Sequence, residues 1–189
     1  MRRGLPLVLL VFAPLLADAG GIGTKLPDFA LTDLDGNTAA VALSSGITVV
    51  TFFSTRCPVS NDYNERMNRV YADYGARGVR FFFADANANE PAEEVRAHAK
   101  QAGFSFPVFR DANSAAADRL GAGLTPETFV IDASGVLRYR GSIDDSRNPA
   151  RVLNSGLRSA LDAVLSGEKV ERTETKAFGC TIKRAKGAL

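Results

Sequence analysis

The sequence has few of the residues that build metal centres and no excess of the basic residues that bind nucleic acids. Its 189 residues include no Trp, one His and two Cys, and 23 Lys and Arg stand against 21 Asp and Glu. The net charge of +2 is too small to indicate a nucleic-acid-binding protein, and no block of basic residues suggests one. His98 lies in a charged stretch with no Cys at ligand spacing, which favours a solvated helix face over a metal site. We therefore expect no metal and no bound cofactor.

The N-terminus holds the one long apolar run of the chain. Residues 1–3 are a basic start, residues 5–16 are apolar, and residues 17–19, Ala-Asp-Ala, have the pattern of a signal-peptidase site. Two prolines interrupt the run, and it is short for a membrane span, which disfavours the alternative of an uncleaved anchor. We predict a signal peptide at 1–19, one domain at 20–167 and a C-terminal tail at 168–189. The protein is then exported to the periplasm or another extracytoplasmic space, without stable membrane insertion after cleavage.

The stretch 47–61, ITVVTFFSTRCPVSN, places a cysteine at the end of a predicted strand. Residues 47–53 are β-branched or aromatic, which indicates a strand that is buried on both faces. A short polar turn leads to Cys57, and Pro58 is typical of the first position of a helix, here predicted over 59–74. Free N–H groups at a helix start stabilise a thiolate, and Arg56 adds a neighbouring cation, so we interpret Cys57 as reactive. The alternative is a buried structural cysteine.

The rest of the chain alternates between strand and helix patterns. We predict strands at 79–84 and 106–109, helices at 87–101 and 111–121, and hairpins within 25–45 and 128–140. Asn148-Pro149 is expected to open a long amphipathic helix. The predicted apolar face of this helix comprises Val152, Leu153, Leu157, Leu161, Val164 and Leu165. This order predicts an α/β sandwich with a mixed central sheet flanked by helices.

The segment FFSTRCPVS resembles the active-site segment of thioredoxin-fold proteins, in which an aromatic strand runs into C-x-x-C and a helix. The resemblance covers roughly residues 26–166 and implies a thioredoxin-like three-layer sandwich. It puts Cys57 at the nucleophilic cysteine and Ser60 at the position of the resolving cysteine, so this chain is a C-x-x-S variant. Ser60 and Arg56 are the substrate-binding candidates next to the nucleophile.

Three further positions gain a role from the resemblance. Thr125-Pro126 matches the dipeptide whose cis proline packs beside the nucleophilic sulfur and offers its backbone to an extended substrate; the alternative is an ordinary trans proline. Glu90 matches a glutamate of extracytoplasmic thiol-disulfide reductases that acts in proton transfer, although a helix start favours glutamate in any case. Cys180 lies in a basic Gly-Cys tail like that of redoxin-domain proteins with a C-x-x-S site, and we interpret it as the replacement for the missing resolving thiol.

Three functional hypotheses follow. The first is a thiol-disulfide oxidoreductase that acts on protein or small-molecule thiols and disulfides, with Cys57 and Cys180 cycling rather than forming a permanent staple. The second is a peroxidase, because the chain also resembles the alkyl hydroperoxide reductase/thiol-specific antioxidant family, whose substrates are peroxides. Ser54 fits the hydroxyl of that family, but Val50 stands where its proline belongs, and its arginine has only spatial substitutes: Arg56, Arg138 or Arg140. The third is a non-catalytic accessory domain with a stapled or inert cysteine.

Overall fold

The computed structural model describes residues 20–185, so the predicted signal peptide and the last four residues lie outside the described part. Nine strands occur in that range: β1 (Phe29–Asp33), β2 (Thr38–Val41), β3 (Thr48–Phe53), β4 (Arg80–Asp85), β5 (Val108–Arg110), β6 (Leu124–Thr125), β7 (Glu127–Ile131), β8 (Leu137–Gly141) and β9 (Cys180–Thr181). The helices are α1 (Pro58–Asn61), α2 (Asn64–Gly75), α3 (Ala92–Gln101), α4 (Ala115–Leu120) and α5 (Gly156–Leu165), with a 3₁₀ turn at Pro149–Arg151. Within residues 20–185, no helix has the length and apolar character needed to cross a membrane.

The predicted central strand lies in the middle of a seven-stranded mixed sheet. The strand order is β2-β1-β5-β4-β3-β7-β8. β3 runs parallel to β4 and antiparallel to β7. All six residues of β3 are buried, as expected for a continuous apolar run with neighbours on both edges and both faces.

Each face of the sheet has its own hydrophobic core, because successive residues of a strand point to opposite sides. On one face, Val49 and Phe53 of β3 join a cluster with α2, α3 and α5. On the other face, Val50 and Phe52 join a cluster with α4 and the β1–β2 hairpin. A mixed sheet between these two layers confirms the predicted thioredoxin-like sandwich.

The helix predicted over 59–74 is divided into α1 and α2. The N–H of Tyr63 bonds to the carbonyl of Ser60 at 3.0 Å, so the chain tightens into a three-residue turn between the helices. Tyr63 is almost fully buried at this junction, and its hydroxyl donates to Asp144 at 2.8 Å. The tertiary contact of one aromatic side chain therefore interrupts a helix that the composition predicts as continuous.

The prediction of a helix from Asn148 onward is wrong for its first two turns. Asn148 caps only the 3₁₀ turn, and α5 begins at Gly156. The carboxylate of Asp145 accepts the N–H of Leu153 at 3.0 Å and the side-chain amide of Asn154 at 2.9 Å, which holds this segment outside a helix. Val152 and Leu153 are therefore not part of the apolar face, and Leu153 is 87% exposed.

A buried ion pair anchors α2 to the segment after β8. The guanidinium of Arg66 donates to both carboxylate oxygens of Asp144, at 2.8 and 2.7 Å, and to the carbonyls of Ser146 and Arg147, both at 2.7 Å. The guanidinium also stacks over the ring of Tyr63, 3.5 Å from its centroid. The two charged side chains are only 10% and 5% exposed, so the loss of one partner would leave the other charge buried and uncompensated.

We predict that Asp144→Ala lowers the free energy of unfolding by about 3–5 kcal/mol, the usual cost of breaking a buried ion pair. The matched control is Asp162→Ala, which removes an exposed pair with Arg77 and is expected to cost less than about 1 kcal/mol. Urea unfolding at neutral pH measures both values. Equal small losses in the two variants would contradict a structural role for the buried pair.

Candidate active site

The hydroxyl of Ser54 organises the turn that follows β3. It accepts the backbone N–H groups of Arg56 at 3.2 Å and Cys57 at 3.1 Å. It donates its own proton to Oε1 of Glu90 at 2.6 Å. These three bonds satisfy a buried polar group completely and fix the backbone path from the central strand to α1.

Cys57 caps α1, so a backbone donor points at its sulfur. The N–H of Ser60 lies 3.4 Å from Sγ, and Pro58 occupies the start of the helix as predicted. Sγ also lies 3.3 Å from the carbonyl oxygen of Thr125. The residue is 2% exposed. In the reduced protein, a directed N–H group favours the thiolate over the thiol.

Cys57 forms a disulfide with Cys180. The two residues are 123 positions apart in sequence, and their Cα atoms are 5.8 Å apart, within the normal range for a disulfide. Cys180 opens β9 and is half-buried, so it is the more accessible partner. The bond joins the two cysteines that the sequence analysis brought together.

The Thr125–Pro126 peptide bond is cis, as the family resemblance implied. Both residues are buried; Thr125 ends β6, and Pro126 connects it to β7. The short distance between the Thr125 carbonyl and Sγ of Cys57 puts this loop directly against the disulfide. The backbone of this loop therefore lines the reacting atoms.

The two other substrate-binding candidates have different surroundings. Ser60 is fully buried, and its hydroxyl oxygen accepts the N–H of Ser54 at 3.1 Å, so its side chain braces the turn. Arg56 is exposed and forms a two-pronged ion pair with Glu94, through Nε at 2.7 Å and a terminal nitrogen at 2.5 Å. Hydrogen bonding to Glu94 raises the pKa of Arg56 above its usual value.

Glu90 is buried behind the turn rather than exposed at a helix start. Besides the Ser54 hydroxyl, its carboxylate accepts the N–H and the hydroxyl of Thr55 at 2.6 and 2.5 Å. Burial acts to raise the pKa of Glu90, but the neighbouring carboxyl group of Asp85 and the hydrogen bonds from Ser54 and Thr55 outweigh it and lower the pKa below its ordinary value. Glu90 is therefore the ionised member of this cluster.

Asp85, which the sequence reasoning missed, is the acid beside Glu90. It ends β4 opposite Phe53 in the parallel register and is fully buried. Burial, and then the proximity and charge of the Glu90 carboxylate, raise the pKa of Asp85 to about 8. Oδ1 accepts the N–H of Asn87 at 2.9 Å and lies 3.9 Å from Nε of Arg110, whereas Oδ2 accepts no hydrogen bond within the described residues. This arrangement fits a carboxyl group that keeps its proton at neutral pH.

A sequence signal for Asp85 does exist. The run VRFFFAD ends a largely apolar strand with an acid, and that strand pairs with the one that leads into the Cys57 turn. Parallel strands end at the same edge of a sheet, so the last residue of β4 must lie near the last residue of β3. The sequence alone does not give this pairing, because it does not state the register.

Comparison with known proteins gives the family and the relatives of this chain. Residues 22–140 match the AhpC/TSA family. The chain is similar to the thiol-disulfide oxidoreductase ResA of Geobacillus thermodenitrificans, with 31% identity over 121 residues that cover 64% of this chain and 68% of the relative. It is also similar to the thiol:disulfide interchange protein DsbE of Allochromatium vinosum, with 28% identity over 151 residues that cover 74% and 81% of the two chains.

Among solved structures, the chain resembles a hypothetical protein from Sinorhizobium meliloti 1021. The TM-score is 0.78 at 33% sequence identity, and the alignment covers 88% of this chain and 96% of the other. This similarity extends well beyond the residues that match the family, so it includes most of the fold described above.

We predict that reduction of the disulfide lowers the free energy of unfolding by about 4–5 kcal/mol, because the bond closes a long loop and restricts the unfolded chain. Urea unfolding with and without a thiol reductant measures the difference. Cys180→Ser is the control, since a chain without the bond should unfold identically in both conditions. A parent protein that is insensitive to reductant would contradict the prediction.

We also predict that Asp85 makes stability fall as the pH rises. Its pKa is raised in the folded state, so between about pH 4 and 8 the native protein holds a proton that the unfolded chain has released. Relative to that of Asp85→Asn, the free energy of unfolding of the parent should fall by up to about 1.4 kcal/mol per pH unit across this window. Above the window it should become independent of the charge at Asp85. Urea unfolding across the pH range tests this slope, with the exposed Asp162→Asn as control; parallel curves for parent and Asp85→Asn would contradict it.

Proposed function

This chain belongs to the AhpC/TSA family, and we propose that it is an extracytoplasmic thiol-disulfide oxidoreductase with Cys57 as nucleophile and Cys180 as resolving thiol. The observation that carries this proposal is the disulfide between these two residues, formed at a helix start and against the cis Pro126 loop. The names of the two curated relatives, a thiol-disulfide oxidoreductase and a thiol:disulfide interchange protein, support the same reaction class. The N-terminal targeting pattern supports the location.

The cycle is two successive thiol–disulfide exchanges. The Cys57 thiolate attacks a substrate disulfide, one substrate sulfur leaves as a thiolate, and the other stays bound to Cys57. The Cys180 thiolate then attacks Sγ of Cys57 and releases the second substrate sulfur. The substrate gains two electrons, the enzyme becomes the disulfide form, and an external dithiol returns it to the reduced form. With the opposite electron flow, the same steps oxidise a substrate dithiol.

Asp85 and Glu90, the two acids beside the turn, are the groups that we assign to proton handling in these steps. Glu90 is ionised and connects through the Ser54 hydroxyl to the N–H of Cys57, while Asp85 next to it keeps a proton. We assign Asp85 as the proton reservoir and Glu90 as the group that relays its charge to the turn.

A peroxidase is less well supported by the geometry. Such an enzyme needs a cation that activates the peroxide, yet each candidate arginine is engaged by a carboxylate: Arg56 by Glu94, Arg138 by Asp132 and Arg140 by Glu174. The Ser54 hydroxyl, the other peroxidase feature, is used by Glu90 and the backbone of the turn. A non-catalytic domain with a permanent staple remains the alternative that the following experiment addresses.

We predict that Cys180→Ser traps a mixed disulfide at Cys57. Without a resolving thiol, reduced protein mixed with oxidised glutathione should stop at the Cys57–glutathione adduct, and turnover of a model disulfide should fall by roughly tenfold or more. Mass spectrometry of the quenched protein and a turnover assay give the two readouts. The double variant Cys57→Ser/Cys180→Ser is the control and should form no adduct, because it contains no cysteine.

Two outcomes contradict the proposal. If Cys180→Ser turns over at the parental rate without an adduct, Cys180 is not the resolving thiol. If the reduced parent does not react with oxidised glutathione at all, Cys57 is an inert cysteine and the bond is a staple.

A further inference from the structure

The C-terminal tail fills a backbone edge beside the disulfide. β9 pairs antiparallel with β6, and Cys180 lies opposite Thr125. The N–H of Ile182 donates to the carbonyl of Gly123 at 3.0 Å, and the Thr125 hydroxyl donates to the carbonyl of Cys180 at 3.3 Å. Within residues 20–185, β6 has no other strand partner. The edge that borders Cys57 is thus occupied by a strand of the same chain.

This edge selects the side chains of the strand that pairs with it. A Cβ atom at Gly179 would lie 2.0 Å from the carbonyl oxygen of Thr125, so the position before the cysteine has no room for a side chain. Ile182, two positions after Cys180, is 3% exposed and belongs to the same buried cluster as Leu120 and Ala122. The paired strand must therefore have glycine before its cysteine and an apolar residue two positions after it.

The end of the tail is held by polar contacts as well. The N–H of Lys183 donates to the side chain of Asn87 at 2.9 Å, and its carbonyl accepts the N–H of Ala88 at 2.7 Å. Arg184 pairs with Asp118 at 2.6 Å. The tail is therefore bound along several consecutive residues by backbone pairing, an apolar contact and an ion pair, as a bound peptide would be.

We propose that β9 occupies the place of the substrate, and that resolution by Cys180 is a strand exchange in which the tail displaces an extended, cysteine-containing polypeptide from the β6 edge. This inference rests on the proposed oxidoreductase function and adds the substrate class: a peptide segment with glycine before its cysteine. A substrate cysteine bonded to Cys57 and paired opposite Thr125 would make the contacts that Cys180 makes here. In this structure Cys180 holds that position.

The chemistry of the exchange balances without a further reactant. The Cys180 thiolate attacks Sγ of Cys57, the Cys57–Cys180 bond forms, and the bond from Cys57 to the substrate sulfur breaks. The substrate sulfur leaves as a thiolate and takes up a proton. At the same time β9 takes over the backbone hydrogen bonds of the β6 edge that the substrate held, so release of the product accompanies the electron transfer.

The test compares peptide and small-molecule substrates in the full-length Cys180→Ser protein in its reduced form. The peptide probe has the sequence FGCTIK, and its cysteine carries a thionitrobenzoate group; a second peptide has Ala in place of Gly. Stopped-flow absorbance records thionitrobenzoate release, and the symmetric small-molecule disulfide of thionitrobenzoate serves as the reference. We expect the Gly peptide to react at least about tenfold faster than the Ala peptide after division by the reference rate.

A second comparison uses variants that weaken the binding of the tail to the β6 edge. Adding Gly179→Ala to Cys180→Ser should raise the normalised rate with the Gly peptide at least about tenfold, because the tail no longer competes for the edge. Ile182→Ala provides an independent way of weakening the tail. Gly21→Ala is the matched glycine control, since a Cβ at that position meets no atom within 4 Å.

The outcomes separate the two proposals. Equal normalised rates for the Gly and Ala peptides, or no acceleration in either tail variant, would overturn the strand exchange even when Cys57 reacts with the reference disulfide. No reaction with the reference disulfide would instead overturn the oxidoreductase function on which the strand exchange rests. Faster reaction in both tail variants but not with Gly21→Ala would support the exchange.

Discussion

The geometry of the site depends on one buried hydroxyl group. Ser54 is placed by the central strand, and its oxygen connects three elements: the turn, the start of α1 and the acid cluster of Glu90. In water such a network would be worth little, because each group would bond equally well to solvent. At the buried end of the sheet, a polar group without a hydrogen-bond partner costs free energy of folding. The network therefore specifies one backbone path and one position for the sulfur of Cys57.

Much of the fold can be predicted from the sequence where local pattern and tertiary environment agree. The apolar run of β3, the Pro58 helix start and the two hairpins are local signals, and the structure has them in place. The errors occur where one long-range contact overrides the local pattern. Asp145 binds the backbone at Leu153 and delays α5, and Tyr63 reaches Asp144 and divides the predicted helix.

The same distinction applies to the site. Cys57, Pro126 and Cys180 are recognisable because each lies in a motif that can be seen in a short stretch of sequence. Asp85 is not recognisable in this way. The strand register places it at the end of β4 opposite Phe53, and burial beside Glu90 raises its pKa. Its raised pKa is a property of the folded environment, and no local pattern of residue types contains it.

The contacts of Lys183 with Asn87 and Ala88 have a consequence for thermodynamics. They attach the departing strand to the loop that directly follows Asp85, so loss of β9 removes two hydrogen bonds from that loop. Opening the loop lets water approach a carboxyl group whose proton is retained because water is excluded. If β9 leaves its edge during the redox cycle, we therefore expect the pKa of Asp85 to fall, which would link proton release to the redox state of the two sulfurs.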